Sequence, residues 1–210
     1  MQTIDKRIVS RIYGSGRGAV FTPTQFLDLG SRRVVDVVLH RLAKTRTIRR
    51  LTRGLYDYPE QHPTYRVMFP SPEVVAKALA GKDATRFQPS GAYAANLLGL
   101  SDQVPAKIVF LTDGRAKRVK IGRQEIILKR TSPRNMAIAG KLSGSVIQAF
   151  RYMGKKHVDD KAISRMKNKL ADVDTRPLLH DLTYAPAWIG DIMRQLAEKP
   201  EHGRICTIQR

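Results

Sequence analysis

Apolar residues near the N-terminus recur with the period of an α-helix. In residues 3–14 an apolar stripe runs beside charged positions, and glycines then end the pattern. In residues 31–46 four apolar residues fall at i, i+3, i+4 and i+7, behind Ser31 at the expected N-cap. Between these stretches Thr22 and Pro23 favour a short second helix that begins with a capping box. The pattern therefore predicts three helices in the first 46 residues.

Strand patterns accompany these helices. Ala19–Phe21 is a candidate short strand before the second helix, and Ile48–Leu51 and Leu55–Tyr58 follow the third. The last two are joined through Gly54, which tolerates the positive φ of a tight hairpin. The order helix, strand, helix, helix, hairpin is that of a winged helix-turn-helix.

The rest of the chain predicts a second, mixed region. Four prolines in residues 59–72 interrupt the helical pattern. Strand patterns at 107–112, 118–121 and 125–130 predict a three-stranded antiparallel meander, and helical patterns continue from about residue 135. We therefore expect an α+β protein in three parts. They are a winged helix-turn-helix at residues 1–60, a proline-rich linker at 61–72, and an α/β domain with a small antiparallel sheet and C-terminal helices at 73–210.

The net charge of the chain restricts the kinds of molecule that it is expected to bind. The 210-residue chain has 38 Lys and Arg against 18 Asp and Glu, a net charge of +20, and residues 1–58 alone hold twelve basic and four acidic residues. Such a field attracts polyanions, which are nucleic acids or anionic membrane surfaces. We expect a cytoplasmic protein without a membrane span, because no apolar run of about 18 residues is present. The single cysteine, Cys206, fits a reducing compartment.

The third predicted helix is the strongest candidate for DNA binding. Arg32 and Arg33 lie in its first turn, where the helix dipole disfavours cations by about 0.3–1 kcal/mol. In helix-turn-helix proteins this turn meets bases and phosphates, and arginine can bond guanine O6 and N7. Val37 either contacts a thymine methyl or is an ordinary surface residue. His40 either donates to a phosphate or a base or is an ordinary surface histidine. Further candidates are Arg17, Thr22, Ser31, Arg41 and Lys44. A merely solvated basic face is the other interpretation of this helix.

The basic hairpin also allows two interpretations. Arg49, Arg50 and Arg53 are typical either of a solvated edge strand or of a wing that lies along a phosphate backbone, and the position behind the third helix favours the wing. A second basic set lies on the predicted meander, and is either solvated or a further surface for nucleic acid or an acidic partner. It comprises Lys117, Arg118, Lys120, Arg123, Lys129 and Arg130.

Signals for catalysis are weak. The glycines of residues 14–18 follow a helix and lack the ending of a P-loop, so they predict a flexible turn. His157–Asp160 and His180–Asp181 contain metal-ligand residue types without a recognised metal spacing, and the first stretch is typical of acids at a helix start. We predict no catalytic residues, no metal and no cofactor. A metal-dependent nuclease built on these His and Asp residues is the enzymatic alternative.

Two stretches resemble a known family. Residues 12–59 (IYGSGRGAVFTPTQFLDLGSRRVVDVVLHRLAKTRTIRRLTRGLYDYP) and 89–114 (PSGAYAANLLGLSDQVPAKIVFLTDG) are similar to the AbiEi-like antitoxins and transcriptional regulators of bacterial type IV toxin-antitoxin systems. The resemblance extends over roughly residues 4–130. It implies an N-terminal winged helix that binds inverted repeats in its own promoter, and a C-terminal region with antitoxin activity.

The resemblance also implies partners. It places DNA binding on Ser31–Arg46 and Arg49–Tyr56, and it implies a neighbouring gene for a nucleotidyltransferase-like toxin; direct contact with that toxin stays open. We expect a repressor that binds duplex DNA as a monomer or weak dimer. Six to ten phosphate contacts would lower affinity by about 10³ to 10⁵ between 50 and 200 mM salt. The alternatives are the nuclease and an RNA-binding interaction protein.

Overall fold

A computed structural model describes residues 3–62, 66–81 and 86–198. The chain divides into two compact units, and each unit takes in two segments of the sequence. The first unit consists of the chain up to Phe87 together with Pro105–Ser132, and the second of Gln88–Val104 together with the chain from Pro133 onward. The predicted division at residues 60 and 72 stays a prediction, as does any role of Cys206, which lies outside the described residues.

The described residues form both helices and short strands, which confirms the α+β fold class. The α-helices are α1 (Ile4–Gly14), α2 (Arg32–Lys44), α3 (Pro72–Ala80), α4 (Gly91–Leu97), α5 (Pro133–Met136), α6 (Leu142–Met153), α7 (Asp160–Lys169) and α8 (Ala187–Ala197). The strands are β1 (Val20–Phe21), β2 (Arg49–Thr52), β3 (Leu55–Asp57), β4 (Gln61–His62), β5 (Arg66–Val67), β6 (Phe87–Ser90), β7 (Lys107–Thr112), β8 (Lys117–Ile121) and β9 (Gln124–Arg130). Short 3₁₀ helices cover Pro23–Phe26, Lys155–His157 and Arg176–Tyr184.

The apolar stripes of α1 and α2 meet in one buried cluster, as their spacing predicted. Ile8 and Ile12 of α1 pack in this cluster with Val35, Val38 and Leu39 of α2. Burial of these five side chains fixes which face of α2 is turned to solvent, because the helix can bury only one stripe.

The second predicted helix is wrong in length and in its cap. It is a single 3₁₀ turn, Pro23–Phe26, held by a bond from the Gln25 amide to the Thr22 carbonyl at 3.1 Å. The Thr22 hydroxyl lies 2.7 Å from the Thr24 hydroxyl and makes no cap hydrogen bond, so the capping box does not form. The element order is that of a winged helix-turn-helix whose middle helix is reduced to one turn.

The hairpin β2–β3 continues the N-terminal sheet, whose strand order is β1-β3-β2 and whose pairs are antiparallel. Gly54 at its turn has φ +73°, which is the left-handed conformation that glycine tolerates. Tyr56 pairs with Phe21 across β1 and β3, and their rings stack 6.4 Å apart. The sheet therefore carries its aromatic face toward the core of α1 and α2.

The second sheet is mixed, so the predicted antiparallel meander is wrong. β9 lies between β7 and β8; it runs parallel to β7 and antiparallel to β8. The two apolar strands, β7 with Ile108 to Leu111 and β9 with Ile126 to Leu128, thus take the inner positions. Lysine-rich β8 lies beyond β9, where charged side chains can reach water. Helix α3 packs against β7 and β9.

Two short strands occur within the predicted linker. β4 and β5 pair in antiparallel register, with Gln61 opposite Val67 and His62 opposite Arg66. Two-residue strands leave no periodic pattern in a sequence, and for that reason they were not predicted. β6, also not predicted, carries the chain from the first unit into the second.

The second unit is mainly helical. Apolar residues of α4, α6, α7 and α8 form its buried cluster, with Phe150 among its members. Buried Gln88 accepts a bond from the Gly140 amide and donates to the Ser145 hydroxyl, at 3.0 Å each. No helix in the described part of the chain is long and apolar enough to cross a membrane.

Candidate nucleic-acid interface

The solvent-facing side of α2 carries the residues that its spacing predicted. Arg33, Val37, His40 and Lys44 are all exposed, and we call them the α2 face. Val37 is 60% exposed although it is apolar and β-branched. Arg32, Arg33, Val37 and His40 line one shallow cleft together with Asp36. The structure thus brings four predicted DNA-binding residues to one place.

The start of α2 has an unusual distribution of charge. Ser31 occupies the N-cap with extended backbone, but its hydroxyl makes no cap hydrogen bond, and the first turn contains no acidic residue. The Arg32 guanidinium instead donates to both carboxylate oxygens of Asp36, at 3.0 and 2.9 Å. Arg33 makes no ion pair with any described residue, so its charge is available at the positive end of the helix dipole.

The two basic residues near the end of α2 differ in their surroundings. Arg41 pairs with Asp5 of α1 and so joins the two helices. Lys44 is exposed and has no ion-pair partner among the described residues. Of these two predicted phosphate contacts, Lys44 is the one whose charge is not compensated.

Arg49 has a structural environment that the hairpin pattern did not reveal. Its guanidinium donates to the Asp57 carboxylate at 3.1 and 2.5 Å and to the Met68 carbonyl at 2.8 Å. It also lies over the Phe69 ring, 4.6 Å from the centroid. Asp57 is 1% exposed and the Arg49 side chain 25%, so this ion pair is largely removed from water. The predicted phosphate contact of Arg49 stays a prediction, and we leave this residue out of the proposed interface.

The other two hairpin arginines are placed differently. Arg50 and Arg53 are exposed and form no ion pair with the residues that the structure describes. Arg53 stands beside Gly54 at the turn. Both guanidinium groups are therefore accessible to a phosphate backbone.

Arg17 holds the preceding loop against the end of the hairpin, whereas Thr22 has only local contacts. Arg17 donates to the Pro59 carbonyl at 3.1 Å and lies over the Tyr58 ring at 4.9 Å, while the Gly18 amide donates to the Tyr58 carbonyl at 2.7 Å. The predicted flexible glycine turn is therefore tied to the end of the hairpin. Thr22 is engaged with Thr24, as described above.

Arg11 is a charged residue that serves the fold. It donates to both carboxylate oxygens of Asp28 at 2.7 Å and to the Gln25 carbonyl at 3.0 Å. The hydrogen bonds to Asp28 raise the pKa of Arg11 above its ordinary value. These contacts join α1 to the chain just after the 3₁₀ turn.

Strand alternation divides the second predicted basic set. Arg118, Lys120 and Lys129 share one face of the second sheet with their register partners Ile127, Glu125 and Leu111, of which Leu111 is buried. Lys107, which sequence reasoning missed, joins them opposite Glu125. We call this group, with Val109 and Ile127 at its centre, the open sheet face. Lys107 lies on this face because β7 pairs in parallel with β9, and the strand pattern in the sequence could not predict that pairing.

The remaining members of the set lie elsewhere. Lys117 is on the opposite face, where its ammonium donates to the Leu79 carbonyl of α3 at 2.5 Å. Arg130 alternates onto that same face at the end of β9, and Arg123 lies in the turn between β8 and β9. These three do not share a surface with the open sheet face.

Comparison with known families identifies one match. A family model matches residues 7–178, and its description is a family of unknown function, DUF6088. The chain belongs to this family. Comparison with curated proteins yields no match. In this DUF6088 member every candidate DNA-binding residue, from Arg17 to Arg130, lies inside the matched stretch.

Asp159, His157 and Asp181, three of the residues of the nuclease alternative, have local partners in this DUF6088 member. Asp159 is the N-cap of α7 and accepts a bond from the Ala162 amide at 2.8 Å, as the pattern of a helix start predicted. His157 Nδ1 lies 3.0 Å from the Met153 carbonyl, and buried Asp181 accepts from the Ser143 hydroxyl. Within the described residues, no three His, Cys, Asp or Glu side chains are grouped so that they could hold a metal ion.

Proposed function

We propose that this protein binds duplex DNA sequence-specifically and represses transcription of its own operon. The α2 face carries the proposal, because its unpaired Arg33 stands at the start of a helix without acids in the first turn. A helix that serves only the fold gains stability from acids at this position, whereas a helix that meets DNA gains from arginine.

The chemistry of the α2 face suits the major groove. Arg33 can donate two parallel bonds to guanine O6 and N7, and Val37, one helical turn away, can contact a thymine methyl. The Ser31 hydroxyl and the free amides of the first turn can bind a phosphate at the edge of the groove. Base contacts and phosphate contacts would then come from the same end of α2.

The hairpin supplies phosphate contacts beside the helix. Arg50 and Arg53, with Arg33 and Lys44, are four exposed cations of α2 and the hairpin that form no ion pair with the described residues. Four contacts predict a salt slope of about −3.6, and hence an affinity loss of about 150-fold between 50 and 200 mM salt. This loss is smaller than the range expected from counting cations in the sequence.

The narrower part of the proposal is the antitoxin role. It is supported by the resemblance of residues 12–59 and 89–114 to AbiEi-like regulators. We propose that the protein counteracts a nucleotidyltransferase-like toxin encoded beside it and binds inverted repeats in the promoter they share. Co-expression of this protein with the neighbouring gene tests the role, and growth arrest that this protein does not relieve would contradict it.

The DNA-binding proposal is tested with Arg33→Ala. Fluorescence anisotropy would compare a duplex from the region upstream of the gene with a scrambled duplex of equal length. Loss of one bidentate base contact costs about 1–3 kcal/mol, so affinity for the upstream duplex should fall about 5- to 150-fold, with a smaller change for the scrambled duplex.

Arg165→Ala is the matched control, since Arg165 is exposed on α7 of the second unit. It should change affinity less than twofold. Equal losses for Arg33→Ala on both duplexes would show that Arg33 contacts phosphate and does not read bases. Absence of binding by the wild-type protein would refute the proposal.

A further inference from the structure

The geometry points to a second DNA contact, in which the open sheet face continues the phosphate interface of the hairpin along the same duplex. This inference rests on the proposed function. It is based on the contact between the N-terminal sheet and the second sheet, and on the face of the second sheet that α3 covers.

The N-terminal sheet and the second sheet meet along basic edges. β2, an edge strand of the N-terminal sheet, lies beside β8, an edge strand of the second sheet. β2 leads to the turn that bears Arg53, and β8 carries Arg118 and Lys120. Two basic sets that are separated by more than 60 residues in sequence are thus neighbours in space.

Helix α3 identifies the side on which the open sheet face lies. α3 packs against β7 and β9 on the side of Lys117, and it also packs against β1. The aromatic face of the N-terminal sheet is filled by the core of α1 and α2. The open sheet face of the second sheet is turned away from α3.

The charges of the open sheet face suit a polyanion. Lys107, Arg118, Lys120 and Lys129 are exposed, against the single acid Glu125. Arg118 lies 3.4 Å from Glu125, but its side chain remains 70% exposed and free to reach a phosphate. Residues 105–132 as a whole hold eight basic and two acidic residues.

The centre of the open sheet face favours duplex over single-stranded nucleic acid. Val109 and Ile127 are aliphatic and half-buried, whereas surfaces that bind single strands place aromatic rings under the bases. Cations around an aliphatic centre can bind the phosphates of a duplex without reading its sequence. The partner is therefore the backbone of the DNA that α2 reads.

The test is the salt dependence of DNA binding by Arg118→Ala/Lys120→Ala. Loss of two phosphate contacts should make the slope less steep by about 1.8 units, so that between 50 and 200 mM salt the variant loses about twelvefold less affinity than wild type. The upstream and scrambled duplexes should be affected equally. Lys161→Ala/Arg165→Ala on α7 removes the same charge from exposed positions of the second unit and should leave the slope unchanged.

The possible results of this test distinguish a failure of the second DNA contact from a failure of the proposed function. An unchanged slope for Arg118→Ala/Lys120→Ala, with binding weakened by Arg33→Ala, would overturn the second contact alone. Equal changes in the α7 control would also overturn it, because the effect would then be one of net charge. No binding by wild type would overturn both proposals. Arg118→Gln/Lys120→Gln, checked by circular dichroism, gives a second folded variant if the alanine pair unfolds.

Discussion

The hairpin offers a sharp test, because its three arginines differ in their partners. Arg50 and Arg53 are exposed and unpaired among the described residues, whereas Arg49 is bound to buried Asp57. We expect Arg50→Ala/Arg53→Ala to reduce the salt slope by about 1.8 units, at about 0.9 unit for each phosphate contact. Neutralising Arg49 should leave the slope unchanged, since Asp57 already balances its charge.

Arg49 cannot be tested alone, because its removal leaves a buried carboxylate without a partner. Breaking a buried ion pair in this way costs about 3–5 kcal/mol, and the hairpin would unfold with it. Replacement of both partners, as Arg49→Leu/Asp57→Leu, keeps the net charge and leaves no buried charge. Such paired replacements are often close to neutral for stability.

The assay is fluorescence anisotropy of a labelled duplex at four or more salt concentrations between 50 and 200 mM. Over this range the Arg50→Ala/Arg53→Ala variant should lose about twelvefold less affinity than wild type, and Arg49→Leu/Asp57→Leu should follow wild type. The reasoning fails if the Leu pair also loses about 0.9 unit of slope, since Arg49 would then contact a phosphate. It fails equally if the Arg50 and Arg53 double variant keeps the wild-type slope.

Two further predictions concern stability. Asp57→Ala should lower the free energy of unfolding by about 3–5 kcal/mol, because it leaves half-buried Arg49 unpaired. Asp28→Ala breaks an exposed ion pair and should lower it by less than about 1 kcal/mol. Urea unfolding followed by circular dichroism measures both values, and similar values for the two variants would contradict the assignment of burial. Gly144→Ala should cost about 1–3 kcal/mol, because an added Cβ would lie 2.4 Å from the Ile138 carbonyl oxygen and 2.5 Å from Gln88 Oε1. Fluorescence of the single tryptophan, in the same unit, follows this unfolding, and an unchanged midpoint would show that the helix start can shift at no cost.

Long periodic patterns predicted structure well in this chain. The stripes of α1 and α2 and the strands β2, β3, β7 and β9 were expected from apolar spacing, which depends only on neighbouring residues. The exposed α2 face followed directly, because burial of one stripe determines the opposite one. Short elements such as β4 and β5 were missed, since two residues show no period.

The order of the strands in the second sheet could not be predicted from the spacing of apolar residues. Three strand patterns in succession suggested a meander, but β9 lies beside β7 and the two are parallel. This pairing depends on contacts between distant parts of the chain. It places Lys107 on the open sheet face, opposite Glu125, so this member of the surface could not be predicted from local pattern.

A count of all cations predicts a larger interface than a count of those that form no ion pair with the described residues, for a physical reason. Arg11, Arg32, Arg41 and Arg49 each donate hydrogen bonds to an acid that lies three or more residues away, and such a pair contributes little net charge to an incoming phosphate. Arg118 differs, because it lies 3.4 Å from Glu125 and its side chain is 70% exposed. Unpaired cations of α2 and the hairpin would give a slope of about −3.6, addition of Arg118 and Lys120 about −5.4, and ten contacts about −9. Because these values are well separated, the wild-type slope alone discriminates among the three surfaces. A slope near −9 would require about four further contacts, from cations such as Lys107 and Lys129 of the open sheet face or from arginines that leave Asp5 or Asp36 for phosphates.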